Sequence, residues 1–210
     1  MIDLYTWTTP NGRKVSIMLE ELGIDFRVKP INIGENEQFT PEFLAISPNN
    51  KIPAIVDHET GVTMMESGAI LLYLADKYQR FISNDFKTRL TTIEWLMWQM
   101  GGVGPAFGQV HTFVHFNPGK APFAEERVRK EANRLYGVLD RRLADRDFVA
   151  GDYSIADMAI WPWVSRYEWQ EIDLSTFPNV KSWYLRIAER PAVQRGYHIP
   201  NKVAELPIPK

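Results

Sequence analysis

The chain contains no cysteine. That excludes a disulfide framework, a cysteine nucleophile and a thiolate metal site. No apolar stretch approaches the length needed to span a bilayer, and no polybasic run stands out. Acids and bases are mixed along the chain and the net charge is only −2, so nothing suggests a nucleic-acid surface. The opening residues, with Asp3 and a turn by residue 10, lack the form of a signal peptide, and a cytoplasmic location is the expectation. Internal repeats and low-complexity segments are also missing. What is present is 210 residues, 45% hydrophobic, enough for one large domain or two small ones with a real core.

The first eighty residues alternate strand and helix patterns. Ile2–Tyr5 reads as a strand. Val15, Met18, Leu19 and Leu22 place an apolar stripe on a helix that Gly23 would close. Phe26–Ile31 is a second strand, and Thr40 caps a short helix whose first residue is Pro41. Ala54–Val56, the turn "HETG" and Val62–Met65 form a hairpin, followed by the helix "ESGAILLYLADKY". The order is β-α-β-α-β-β-α.

Beyond residue 85 the periodicity is helical only. Leu90, Ile93, Met97 and Met100 share one face, "GGVGP" must bend or break that helix, and Phe113–Pro122 reads as a loop. Val128, Ala132, Leu135, Leu139 and Leu143 make a long stripe. Ser154 and Asp157 form a variant capping box at the head of "IADMAIWPW", and Pro178–Arg190 gives a last helix. An α/β half followed by an all-α half argues for two domains. Their expected extents are 1–80 and 87–196, with a linker at 81–86 and a proline-rich tail at 197–210.

Some features mislead. Gly102, Gly104 and Gly108 are spaced like a nucleotide loop, but they follow a helix and include Pro105, so a kink with close packing is expected and no nucleotide. His111 and His115 are four apart without a third ligand, so no metal is expected. Trp95, Trp98, Trp161 and Trp163 read as core. Phe107, Phe113 and Phe116 either line a second-substrate pocket or pack in a core or dimer contact.

The turn "TTPNGRK", residues 8–14, leads from the first strand into the first helix. Pro10 fits the first helical position, which makes Thr9 the N-cap with Asn11 just inside. Helix-terminal amides there point at whatever binds.

The strand–turn–helix start, "NNKIPAIVD", "ESGAILLYLADKY" and "YSIADMAIWPW", in that order, resemble a glutathione transferase over residues 1 to about 195. "TTPNGRK", "ISPNNKIPAIVDH" and "WQMGGVGP" resemble the bacterial nu-class group and are also similar to a fungal nitrogen-regulator relative. The resemblance implies a thioredoxin-like N-terminal domain with a mixed four-stranded sheet, an all-α C-terminal domain and a homodimer. It implies reduced and oxidised glutathione as ligand. The activities it implies are disulfide reduction, organic peroxide reduction and weak conjugation of electrophiles. Small disulfides, peroxides or electrophiles would be the partners, with no nucleic acid or membrane. A conjugating transferase, a glutathione-binding regulator with little catalysis and a structural partner remain the alternatives.

Site roles follow from the resemblance. Glu66 would take the glutathione ammonium, and Ser67 with the helix amides behind it a carboxylate. The Ile52–Pro53 bond would be cis, letting the Ile52 backbone pair with the cysteinyl backbone. Gln38 and Lys51 could reach the glycine carboxylate, and Arg127 matches a family arginine that meets glutathione. Thr9 and Asn11 would stabilise the ligand's thiolate, with Thr6 and Thr8 near enough to share the role. A thiol pKa of about 8.5 moves down two units for about 2.7 kcal/mol. One hydrogen bond to the charged sulfur supplies roughly 1.5–3 kcal/mol and a helix N-terminus roughly 0.3–1. No cationic partner is required.

Overall fold

The computed structural model describes residues 1–209. The chain divides into two units, Met1–Arg80 with Glu189–Leu206, and Phe81–Ala188 with the segment from Pro207.

The first unit is built on strands β1 (Ile2–Thr6), β2 (Phe26–Pro30), β3 (Ala54–Asp57) and β4 (Val62–Met65), in the order β2-β1-β3-β4. β1 and β2 run parallel, while β1–β3 and β3–β4 are antiparallel. This is the mixed four-stranded sheet of a thioredoxin-like domain. Helix α1 (Pro10–Leu22) follows β1, α2 (Pro41–Leu44) follows β2, and α3 (Ser67–Tyr78) follows β4. Alternation along β1 buries Ile2 and Leu4 completely with Val15, Met18 and Leu19 of α1 and Ile70, Leu71 and Leu74 of α3. Tyr5, on the alternate face, stands 6.2 Å from the Phe43 ring of α2. Gly23 ends α1 in the left-handed conformation (φ 68°), and its N–H donates to the Leu19 and Glu20 carbonyls, as the sequence predicts.

One helix of this unit was not foreseen. Pro191 forces Arg190 into an extended conformation, so α8 (Pro178–Ala188) stops and the chain restarts as α9 (Pro191–Tyr197). The sequence places residues 189–196 in the helical domain, but α9 packs on α1. Gly196 makes this possible, since a Cβ there would come within 2.7 Å of the Ile17 backbone. The Ser16 hydroxyl donates to the Gly196 carbonyl at 2.7 Å, and Arg190 pairs with Glu21 through two nitrogens.

The second unit is all helical. The expected linker is shorter than the sequence suggests: Phe81 already belongs here, accepting from the Ile155 N–H at 3.0 Å. Helix α4 (Phe86–Trp98) does not break at "GGVGP". It passes through a π-helical turn (Gln99–Val103) into α5 (Gly104–Val110) and a second π turn (His111–His115). The wide turn ahead of Pro105 absorbs its missing N–H and the clash its ring would make with the preceding turn. Phe113, expected in a loop, is therefore helical. Gly104 and Gly108 face Trp163, whose ring atoms lie 3.6 Å from where either Cβ would sit. The glycine spacing thus serves packing.

Helices α6 (Pro122–Arg142), α7 (Ile155–Val164) and α8 complete the unit. The capping box forms, with the Ser154 side chain accepting from the Ala156 N–H and the Asp157 carboxylate accepting from the Ser154 N–H. Trp161 is core, stacked on Tyr184 at 5.1 Å. Trp95 and Trp98 are only half-buried, in edge contact at 4.9 Å with the Arg142 guanidinium 5.0 Å from the Trp95 ring. Phe107 is buried and stacked on Tyr136, whereas Phe116 is exposed beside Trp169. His111 stacks on Trp163 and His115 on Trp169. Burial, followed by the charges of Arg166 and His115, pushes the His111 pKa down to about 4. Among the described residues no helix is long and apolar enough to cross a membrane.

Candidate functional site

The register of the sheet gathers the site. Tyr5 pairs with Ala54, and Ala54 pairs with Met65. The end of β1, the start of β3 and the end of β4 therefore meet at one edge. The parallel partner β2 ends at that edge as well, where the Ile31 N–H donates to the Thr6 carbonyl at 3.0 Å. The segments that continue from these strand ends carry Thr9 and Asn11, Ile52 and Pro53, Glu66 and Ser67, and Gln38. Eight of the expected residues (these and Lys51) thus belong to the first unit.

Thr9 is the N-cap of α1, and its hydroxyl oxygen accepts the Gly12 N–H at 3.1 Å. That leaves its proton to donate elsewhere. Gly12 has no alternative, because any Cβ would fall on the Trp7 carbonyl oxygen. Asn11 is half-buried one residue into the helix. The Ile52–Pro53 bond is cis, with Pro53 buried and Ile52 half-buried. Lys51 is exposed, and its carbonyl accepts the Ser47 hydroxyl at 2.8 Å, tying down the turn before β3. A second cis bond, Ile199–Pro200, lies in the tail and was not anticipated.

Gln38 sits in a 3-10 turn after β2, and its side-chain oxygen is shielded from solvent with no hydrogen-bond partner among the described residues. Such an orphan acceptor suits a ligand N–H. A carboxylate would instead need the amide NH2 presented.

Glu66 precedes α3 with φ 71° and ψ 108°, a conformation few residues other than glycine adopt. Strain of this kind costs of order 1–3 kcal/mol and collects at binding sites. Ser67, the first residue of α3, is buried.

Arg127 lies elsewhere in the chain, exposed on α6 of the helical unit. There it lines a cleft of about 730 Å³ with Gly102, Pro105, Glu126, Lys130 and Arg134.

Neither cation of "TTPNGRK" has a role that the sequence announces, yet both are buried. The Arg13 Nε donates to the Tyr197 carbonyl at 3.0 Å, and its guanidinium lies 3.7 Å from the centre of the Tyr197 ring. Lys14 is 1% exposed, and its Nζ donates to the Ser67 hydroxyl at 3.2 Å. The signal was available, because Lys14 lies one helical turn before Met18 and so on the apolar stripe itself. Burial holds the Lys14 pKa down to about 7 against the opposing pull of the Glu66 carboxylate.

A thioredoxin-like sheet with a helix N-terminus, a strained glutamate and a cis-proline at one edge, followed by a helical unit, defines the glutathione transferase class. Residues 4–81 match the family model for the glutathione S-transferase N-terminal domain, and residues 104–191 match that for the C-terminal domain. The chain belongs to the glutathione S-transferase family. It is 50% identical to the disulfide-bond oxidoreductase YfcG of Escherichia coli, over 91% of this chain and 92% of that one. It is 43% identical to the disulfide-bond oxidoreductase YghU of the same organism, over 93% and 73%. A glutathione transferase from Pseudomonas putida, crystallised with one glutathione disulfide bound per subunit, superposes with a TM-score of 0.90. That protein is 45% identical, over 95% of this chain and 92% of that one.

Proposed function

We propose that this protein is a glutathione-dependent disulfide-bond reductase. The observation that carries this reading is one end of the sheet that gathers a helix N-terminus, a strained glutamate and a cis-proline with no thiol of its own. The α3 amides and Ser67 suit the glutamyl carboxylate, and Glu66 its ammonium. The Ile52 backbone suits the cysteinyl peptide, Gln38 an N–H or carboxylate, and Lys51 the glycine carboxylate. Arg127 is proposed to meet a ligand carboxylate as well. The names of the Escherichia coli relatives and the disulfide held by the Pseudomonas putida protein support the same chemistry.

Glutathione then supplies the nucleophile. Thr9 donates its hydroxyl proton toward the sulfur, Asn11 adds an amide N–H, and the α1 dipole favours the thiolate. The thiolate attacks one sulfur of the substrate disulfide, forming a glutathione mixed disulfide and releasing a thiolate that takes up a proton. A second glutathione thiolate attacks the mixed disulfide. The products are oxidised glutathione and the second substrate thiol. Two glutathiones are oxidised for each disulfide reduced. Organic peroxides are candidate second oxidants for the same thiolate.

Two finer statements belong to this reading. Phe86, Leu90 and Met97, spaced along α4, are 72%, 49% and 47% exposed, an apolar stripe that a second copy of the chain would cover in a homodimer. The cytoplasm is the proposed compartment, because it supplies the reduced glutathione that the cycle consumes.

Turnover of a glutathione mixed disulfide tests the function. It should exceed turnover of an aromatic electrophile, and it should survive treatment with an alkylating agent that is then removed. Loss of activity on alkylation, or faster conjugation than reduction, would overturn it. Sedimentation should show a dimer at micromolar concentration, shifted toward monomer by Leu90→Glu.

A further inference from the structure

The Lys14 ammonium donates to the same hydroxyl that is assigned to a ligand carboxylate. It is almost completely buried, and it faces the first residue of α3, where the helix dipole presents positive charge. A buried cation beside a positive helix end is stabilised by an arriving anion more than either group alone. We propose that Lys14 is a positioning residue for the glutamyl carboxylate of glutathione, acting through Ser67, and that the bound carboxylate in turn favours the charged ammonium.

The surroundings of Lys14 support the proposal. Glu66 faces it and favours its charged form. Other charges on the packed elements have partners of their own, as Arg80 beyond α3 donates to the Leu22 carbonyl at 3.1 Å. Arg13 is engaged with Tyr197 of α9. Arg190 and Arg195 of α9 pair with Glu21 and Glu20 of α1. Asp3 of β1 is held by Arg27 and His58. Lys77, later in α3, is bound to Asp57 and Glu59. With a pKa near 7 in the free protein, Lys14 is largely neutral at pH 8 and can respond to a ligand in the ordinary working range. The neutral amine still fills its volume and can donate to Ser67, so the fold does not depend on the charge.

This inference rests on the reading of Ser67 as a carboxylate site. It is tested with S-methylglutathione, which has no thiol to titrate. The α-amine of that ligand, with an ordinary pKa of about 8, also takes up a proton in this range, so the share of Lys14 is the wild-type uptake minus that of Lys14→Met. Calorimetry in buffers of differing ionisation enthalpy should show proton uptake on binding, small at pH 6 and rising to about 0.4 proton or more from Lys14 at pH 8. Affinity should fall at least about tenfold from pH 6 to pH 9, one decade for each unit by which the ligand raises the pKa. Lys14→Met should bind more weakly at pH 6 and keep only the smaller uptake of the ligand amine. Lys14→Arg, charged throughout, should bind with the pH dependence flattened. Circular dichroism checks the fold of each variant, and Lys14→Gln replaces Lys14→Met should that variant misfold. Binding without proton uptake in the wild type, or uptake unchanged in folded Lys14→Met, would overturn the role of Lys14 and leave the glutathione site standing. No binding of S-methylglutathione by the wild type would overturn both.

Discussion

Asp157 lies at the head of α7 with no exposed surface, and every contact it makes is as an acceptor. One oxygen accepts the Val149 N–H at 3.0 Å and the Trp183 indole N–H at 2.9 Å. The other accepts the N–H and hydroxyl of Ser154, each at 3.1 Å. Asp157→Ala strands three donors that cannot turn away: two backbone N–H groups and the indole. Each unsatisfied buried donor costs roughly 1–3 kcal/mol. Against this, removing the carboxylate relieves a charge that burial disfavours. Burial raises the Asp157 pKa to about 6, with the four hydrogen bonds pulling the other way. That relief is worth about 3 kcal/mol at pH 7. Three stranded donors at the middle of that range, less this relief, leave an expected net loss of about 3 kcal/mol. Asp157→Asn keeps one acceptor oxygen and should lose about 2 kcal/mol.

The pH dependence of that loss is the sharper test. A folded pKa above the unfolded one means that the native state holds the proton more tightly between about pH 4 and pH 6. The contribution of Asp157 is therefore fully present below pH 4 and is lost as pH rises through 6. The gap between wild type and Asp157→Asn should narrow by up to about 3 kcal/mol from pH 4 to pH 6.5 and stay constant above. Urea unfolding followed by tryptophan fluorescence reads it directly, since every tryptophan except Trp7 lies in the helical unit with Asp157. A loss below about 1 kcal/mol for Asp157→Ala, or a gap independent of pH, would refute the reasoning.

Glu66→Gln and Ser67→Ala should each weaken glutathione binding about ten- to a hundredfold, the value of one charged hydrogen bond, measured by calorimetry. Unchanged affinity would leave Ser67 as a helix start only. Thr9→Val should keep binding within a few fold while raising the pKa of the bound thiol, followed by ultraviolet titration of the thiolate. It should also lose about 1 kcal/mol of stability as its cap disappears. Gly196→Ala should destabilise the first unit by roughly 1–3 kcal/mol, because the added methyl meets the Ile17 backbone. A denaturation midpoint equal to wild type would show that α9 shifts freely on α1.

The sheet was legible because strands β1 to β4 are short and β-rich, and because the turns that flank them are spelled in Gly, Pro, Asn and Thr. The helices of the second unit were legible wherever an apolar stripe ran for several turns, as in α6. Legibility failed where the deciding contact is remote in sequence. α9 is only seven residues long and depends on a surface of α1 some 180 residues away, as in the Ser16–Gly196 hydrogen bond. The π turns around Pro105 accommodate a residue whose local signal reads as a break. Within the site, the N-cap at Thr9 could be argued from position alone, whereas the cis bond at Pro53 came only from the resemblance. The strain at Glu66 could not, since nothing in a glutamate announces a positive φ. Lys14 stood on the apolar stripe in plain view, but a lysine is ordinarily assigned to solvent.

The return of α9 to α1 has a consequence for how the protein is made. The ring and carbonyl that engage Arg13 both belong to Tyr197. The thioredoxin-like unit is thus interrupted by the whole helical unit, and it cannot close until the ribosome has added residue 197. During synthesis the helical unit can complete its core first, while α1 waits with a buried-to-be arginine and a bare face. Chaperone demand on the nascent chain should fall on the exposed face of α1. Moving residues 189–206 ahead of residue 1 by circular permutation should let that unit fold before the rest is translated.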